Sequence, residues 1–127
     1  MRLRGLDHLV LTVGDADRTV AFYAALGARE VRFGEGRRAL EIGSQKINLH
    51  VAGAEIAPHA AAPVPGSGDI CLLIDGTLDE AVAALSAAGI PVELGPVPRT
   101  GATGPLRSVY VRDPDGNLVE LSEARTA

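Results

Sequence analysis

DICLLID, residues 69–75, decides the fold, because it repeats the phase of LDHLVLTV, residues 6–13. In both stretches apolar side chains recur at every second position, the period of a strand with one packed face. Matched on that alternation, Asp69 corresponds to His8, Ile70 to Leu9 and Leu72 to Leu11. The segments after the two copies are also alike. After the first comes a helix that Asp15 can cap through a free first-turn N–H and that Gly27 can end, running to about Leu26, with Val20, Tyr23, Ala24 and Gly27 on one side. Three short strands come next, 28–33, 38–42 and 46–51, parted by the hairpin-like Gly34-Glu35-Gly36 and Gly43-Ser44. After the second copy, Thr77-Leu78-Asp79-Glu80 reads as a capping box. Its helix carries Leu78, Ala81, Val82 and Leu85 as an apolar stripe and stops at Gly89. Strands over 90–94, 106–112 and 117–122 complete the repeat. The chain is predicted to be an internal duplication of α+β class. Two βαβββ modules, 4–51 and 69–123, are joined by an Ala/Pro/Gly-rich linker over 52–68 and form one domain across 1–127 around a concave pocket.

Composition bounds what such a domain does. The chain has 127 residues, 46% of them hydrophobic and 22% charged, with a formal charge of −4, the profile of a soluble globular domain with a core of its own. No apolar run approaches the ~20 residues of a membrane span. The opening MRLRGLDHLV lacks the small-residue cleavage signal of a secreted precursor, so the expected compartment is the cytoplasm. Cys71 is the only cysteine, which rules out an internal disulfide and a cysteine-rich metal knuckle. A metal site here has to use His and carboxylates. The acidic balance and scattered arginines give no footprint for nucleic acid.

If each helix covers one face of its strands, Leu9, Leu11, Ile47, Leu49, Ile70, Leu72, Val119 and Leu121 lie on the packed side. The opposite face then carries His8, His50, Asp69 and Glu120, two positions from each module. Glu120 lies in RDPDGNLVEL, residues 112–121, where Asp113-Pro114-Asp115-Gly116 is a tight-turn sequence leading into a strand. A lone strand Glu is ordinarily a solvated side chain and a lone His ordinarily a surface one. Four such groups at repeated positions suit a divalent ion, Ni, Zn, Mn, Co or Fe(II), with room left for water. Asn48 shares the face of His50 and replaces it if the strand register slips by two. Tyr110 precedes Glu120 by ten positions across the turn, which sets the two side by side on antiparallel strands. Its hydroxyl either orients a substrate or shuttles a proton, beside Glu120 as the second catalytic candidate, or it is a core aromatic with its OH at the rim. Arg99, in the Gly/Pro-rich PVPRTGATGP, belongs to a loop able to close over the pocket, or is an exposed charge. Arg99, Asn48 and Ser108 are the candidate substrate contacts. Cys71 shares the face of Asp69 as a small filler or a pocket thiol, and His59 reads as a surface residue of the linker.

LDHLVLTV with FYAALG in the following helix, and YVRDPDGNLVEL near the end, resemble the vicinal oxygen chelate superfamily, which includes glyoxalase I, extradiol dioxygenases, fosfomycin resistance enzymes and bleomycin resistance proteins. Within it, FGEGRRALEIGSQKINLH and PVPRTGATGPLRSVYVRDPDGN are similar to the glyoxalase-domain, virulence-associated group. The resemblance implies βαβββ modules forming U-shaped sheets, a homodimer, and a divalent metal held by the first and last strands of the modules. His8 and Glu120 match ligand positions of the superfamily. Asp69 stands where a second His is usual, and His50 lies near the place of a Glu in bacterial glyoxalase I. A metal-dependent lyase or isomerase acting on a small molecule with vicinal oxygens is the function this implies. An extradiol-type dioxygenase is an alternative, although Asp69 in a His position counts against it. A non-catalytic antibiotic-binding protein is another, weakened by a chain with no Trp, two Tyr and two Phe on which to stack planar ligands.

Overall fold

The computed structural model describes residues 1–125. The element order is β1 (His8–Val13), α1 (Ala16–Ala25), β2 (Arg29–Phe33), β3 (Arg37–Ile42), β4 (Gln45–Val51), β5 (Asp69–Leu73), α2 (Leu78–Ala87), β6 (Leu94–Thr100), β7 (Pro105–Arg112) and β8 (Leu118–Ala124). This is βαβββ twice, forming two compact units, Met1–Ser67 and the described residues from Gly68 onward. Each unit has one four-stranded mixed sheet, ordered β1-β4-β3-β2 in the first and β5-β8-β7-β6 in the second. In both, the strand before the helix runs parallel to the last strand, and the remaining pairings are antiparallel.

In the first unit Asp15 caps α1 by accepting the Arg18 N–H, which fills one of the donors that a helix start leaves open. Buried Tyr23 and Thr19 are the side chains that α1 contributes, and Leu11, Val13, Ala39, Leu40, Ile47 and Leu49 are the buried apolar residues of its strands. The predicted helix stripe therefore held at Tyr23, but Thr19 rather than Val20 is the other fully covered position. Arg38 ties the sheet to the helix, pairing with Asp17 of α1 and Glu30 of β2.

In the second unit Leu78 and Leu85 of α2 are buried, as are Val109, Val111, Val119 and Leu121 of the strands. Thr77 Oγ1 accepts the Glu80 N–H as half of the expected box, and Glu123 on β8 takes the Leu78 N–H, fastening the helix start to the sheet. The DPDGN turn is a lock as well as a reversal. Buried Asp113 accepts from the Asp115 and Asn117 backbone N–H groups and from Asn117 Nδ2, while Asn117 Oδ1 accepts the Gly68 N–H at the entry to β5.

One predicted element moves. Residues 90–94 form no strand up to Leu94, and the sixth strand lies instead over Leu94–Thr100, in the segment expected to be a loop. Pro96 and Pro98 argue against a strand only where a neighbour needs their missing N–H. Because β6 is the edge of its sheet, both prolines are tolerated there. The linker is also more than a connection: Ile56, Ala57 and Pro58 line a cavity with His8, Asn48 and His50 of the first sheet. Among the described residues no helix is long and apolar enough to cross a membrane.

Candidate functional site

In the second unit the sheet face opposite the buried apolar Val109, Val111, Val119 and Leu121 carries Asp69 and Cys71 from β5, Glu120 and Ser122 from β8, and Ser108 and Tyr110 from β7. Register sets them in rows: Cys71 pairs with Glu120 and Glu120 with Tyr110, while Ser122 pairs with Ser108. The Tyr110–Glu120 neighbourhood predicted from their spacing is therefore present. Ser108 is fully buried, and its Oγ donates to Glu120 Oε2 at 2.7 Å. Ser122, also fully buried, lies 2.7 Å from Ser108 Oγ and donates to the same Glu120 oxygen at 3.2 Å. One carboxylate oxygen is thus held by two hydroxyls. Cys71 Sγ lies 3.2 Å from Ser122 Oγ. Burial pushes its thiol pKa up, the Ser122 hydrogen bond opposes this, and the nearby Glu120 carboxylate adds to it.

Arg99 lies on β6, where its Nε–H donates to the Tyr110 hydroxyl at 2.7 Å and its guanidinium carbon sits 5.3 Å from that ring's centroid. Arg99 is thus a strand residue tied to Tyr110, not a free loop charge. Residues 100–105, with Arg99, Cys71, Leu73 and Glu120, bound a cavity of about 490 Å³. The roof is tight at Gly101, where a Cβ would lie 2.9 Å from Gly104 O and from the Leu106 side chain. Asp69 is two residues from Cys71 on the same face and pairs with Leu118, so it stands one pleat along the sheet from Glu120.

In the first unit the equivalent face carries His8, Asn48 and His50. His8 Nδ1 and Asp7 Oδ1 are 2.8 Å apart, and the His8 side chain is 42% exposed. Register corrects the expected correspondence between modules. Val10 pairs with Asn48 as Cys71 pairs with Glu120, so the counterpart of Glu120 is Asn48, and the counterpart of His50 is Ser122. Within the unit His8 pairs with Lys46 and His50 with Thr12. The two histidines are therefore ~13 Å apart along the strands, and the fold does not bring them together on one ion. Asn48 and His50 are both about 95% buried, and Asn48 Oδ1 and His50 Nδ1 have no hydrogen-bond partner among the described residues. His59 is exposed on the linker, with Nδ1 2.9 Å from Ala60 O. Among the described residues no three of His, Cys, Asp and Glu are gathered as a metal cluster. The two serines that hold Glu120 were not legible as such. Only the Tyr110–Glu120 register, carried two residues further, would have pointed to Ser108 beside Ser122.

Comparison with known proteins agrees with this architecture. The model of the Glyoxalase/Bleomycin resistance protein/Dioxygenase superfamily matches residues 5–121. The glyoxalase domain-containing protein RDO1 of Mycosarcoma maydis is 54% identical over 127 residues, which is 100% of this chain and 72% of that protein. Virulence protein STM3117 of Salmonella typhimurium is 49% identical over 119 residues, 93% of this chain and 83% of that one. The solved integron cassette protein VCH_CASS1 of V. cholerae is 48% identical with a TM-score of 0.96, covering 98% of each chain. Further off are a lactoylglutathione lyase from Agrobacterium tumefaciens, 28% identical with a TM-score of 0.73 over 96% of this chain and 95% of that one, and the fosfomycin resistance protein FosX of Listeria monocytogenes with Mn(II) and sulfate, 22% identical with a TM-score of 0.68 over 98% and 93%. By sequence over nearly its whole length and by the twice-repeated βαβββ order, the chain belongs to the Glyoxalase/Bleomycin resistance protein/Dioxygenase superfamily.

Proposed function

We propose that the protein is a divalent-metal-dependent enzyme of glyoxalase type, a lyase or isomerase acting on a small substrate with neighbouring oxygens. His8 and Glu120 are the metal ligands in this reading, and Asp69 is the third candidate. The observation that carries it is the state of Glu120. Two buried hydroxyls hold Oε2, which leaves Oε1 to ligate or to carry a proton. His8 fits in the same way, because the Asp7 carboxylate on Nδ1 selects the tautomer that leaves Nε2 as the donor atom. His50 does not join His8 in the ligand set, because strand register holds the two apart. The lactoylglutathione lyase and Mn(II)-bound FosX among the structural relatives are consistent with such chemistry.

A bound divalent ion would supply Lewis-acid stabilisation of negative charge on a substrate oxygen. Glu120, through the oxygen that the serines leave open, would take a proton from carbon and return it to the neighbouring position. Tyr110 accepts its hydrogen bond from Arg99, so the phenolic O–H is free to donate to a substrate oxygen. Arg99 positions that hydroxyl. The proposal includes a homodimer, as is common in the superfamily, and light scattering of the purified chain checks it.

Metal content decides the reading. Protein purified without chelator should carry close to one divalent ion per chain, and His8→Ala and Glu120→Ala should each lose most of it. Equal metal in all three would sink the proposal. Methylglyoxal–thiol adducts and catechols, assayed side by side on the loaded protein, separate a glyoxalase-type reaction from ring cleavage.

A further inference from the structure

The first unit holds a cavity of about 320 Å³ between its sheet and the linker segment Ile56-Ala57-Pro58. Its chemistry is one-sided. Phe33 on β2 carries Lys46 Nζ 3.7 Å and the Arg37 guanidinium carbon 4.8 Å from its ring centroid. Arg37 and Lys46 form no ion pair with a carboxylate among the described residues. Of the acids near them, Glu41, opposite Lys46, is paired with Arg29 at 2.7 Å, Asp7 lies against His8, exposed Glu55 accepts the Gly53 N–H, and exposed Glu35 sits on the turn before Arg37.

The same cavity is lined by Asn48 and His50, two of the buried side chains that keep an atom without a partner. Leaving a buried polar atom unsatisfied costs about 1–3 kcal/mol. Two of them side by side, under a cover and next to two unpaired cations, are most simply accounted for by a ligand that completes them. Charge on the cations calls for an oxyanion, and the amide and imidazole call for a hydrogen-bonding group next to it. The volume is at the lower end of small-molecule pockets, which restricts the ligand to a few carbons.

We propose that the first unit binds a small hydroxylated oxyanion, its negative group between Arg37 and Lys46 and its hydroxyl at Asn48 and His50. As a statement of substrate class this rests on the proposed enzymatic reading, but the binding itself lies within one unit and requires no metal. The anionic group is a carboxylate or a phosphonate, and the test has an arm for each.

Titration calorimetry on the full chain, with divalent ions removed by chelator, uses glycerate and 2-hydroxypropylphosphonate as probes and lactamide as the neutral control. At least one anion should bind, more weakly as salt rises, and lactamide should not. Arg37→Met and Lys46→Met, which keep the aliphatic stems against Phe33, should each weaken binding by about tenfold or more, the scale of one charge-assisted hydrogen bond. Asn48→Ala should weaken the hydroxylated probes more than propionate. Glu120→Ala, in the other unit and outside this cavity, should leave anion binding intact while removing metal, so the two proposals fail separately. Binding of neither anion, equal binding of lactamide, or unchanged affinity in the Arg37→Met/Lys46→Met double variant with an unchanged melting temperature overturns the proposal.

Discussion

Glu120 is defined by what holds it. A glutamate on an open strand face would sample several rotamers, whereas here Ser108 and Ser122 fix one oxygen from the adjacent strand and from two positions along its own. Removing one hydroxyl frees the carboxylate without removing it. Ser108→Ala is therefore expected to weaken divalent-ion affinity by about 10–100-fold, the usual cost of losing a partner that orients a ligand. Melting curves beside the metal titration show whether the variant is otherwise folded. Cys71 reports on the same carboxylate from the other side. Burial and the negative charge of Glu120 both favour its neutral thiol, so its thiolate forms at higher pH than that of an ordinary cysteine. Iodoacetamide labelling should accordingly be slow near neutrality and rise late with pH. Glu120→Gln removes one of the raising causes, and the midpoint of the labelling profile should fall. A profile unmoved or shifted upward would contradict this account. The Glu120 position was legible from the repeat, but its anchoring was not, because no local pattern marks a serine that faces a partner strand.

At the level of elements, β6 departs most from sequence expectation. The Gly/Pro-rich PVPRTGATGP, residues 96–105, reads as a loop, yet its first half pairs with β7 across a bulge between Leu94 and Val97. Gly95 makes this possible. It has φ +110°, and a Cβ there would lie 2.4 Å from the Ser108 carbonyl oxygen and 3.0 Å from Val109 Cα. Backbone contacts of that kind cannot yield by a side-chain rotation. Gly95→Ala is expected to cost about 2–4 kcal/mol in denaturant unfolding, combining positive-φ strain with displacement of β7. A loss below ~1 kcal/mol would mean that the edge strand adapts. The helices behave differently, because their signals are local. Asp15 and Thr77 cap the turns that come after them, as their side-chain chemistry predicts.

For the whole molecule, each unit closes its own core around one helix and one sheet, so folding does not wait for an ion. Chelation is expected to abolish activity while leaving the melting temperature within about 2–4 °C, in contrast to a structural metal whose binding energy is folding energy. A large drop on chelation would assign the ion a structural role. The sequence by itself determined the duplication, the helix caps, the strand–turn–strand spacing around DPDGN and the sheet face on which His8, Asp69 and Glu120 fall, because these depend on alternation and on contacts between residues near in the chain. Only the tertiary structure decided how β4 lies against β1. A shift of two residues leaves every side chain on the same face, so alternation cannot distinguish Asn48 from His50 as the counterpart of Glu120, and long-range pairing must. It also decided that β6 is an edge strand that can carry prolines. The linker, finally, covers two polar side chains that sequence would have left in water, since burial depends on segments far apart in the chain.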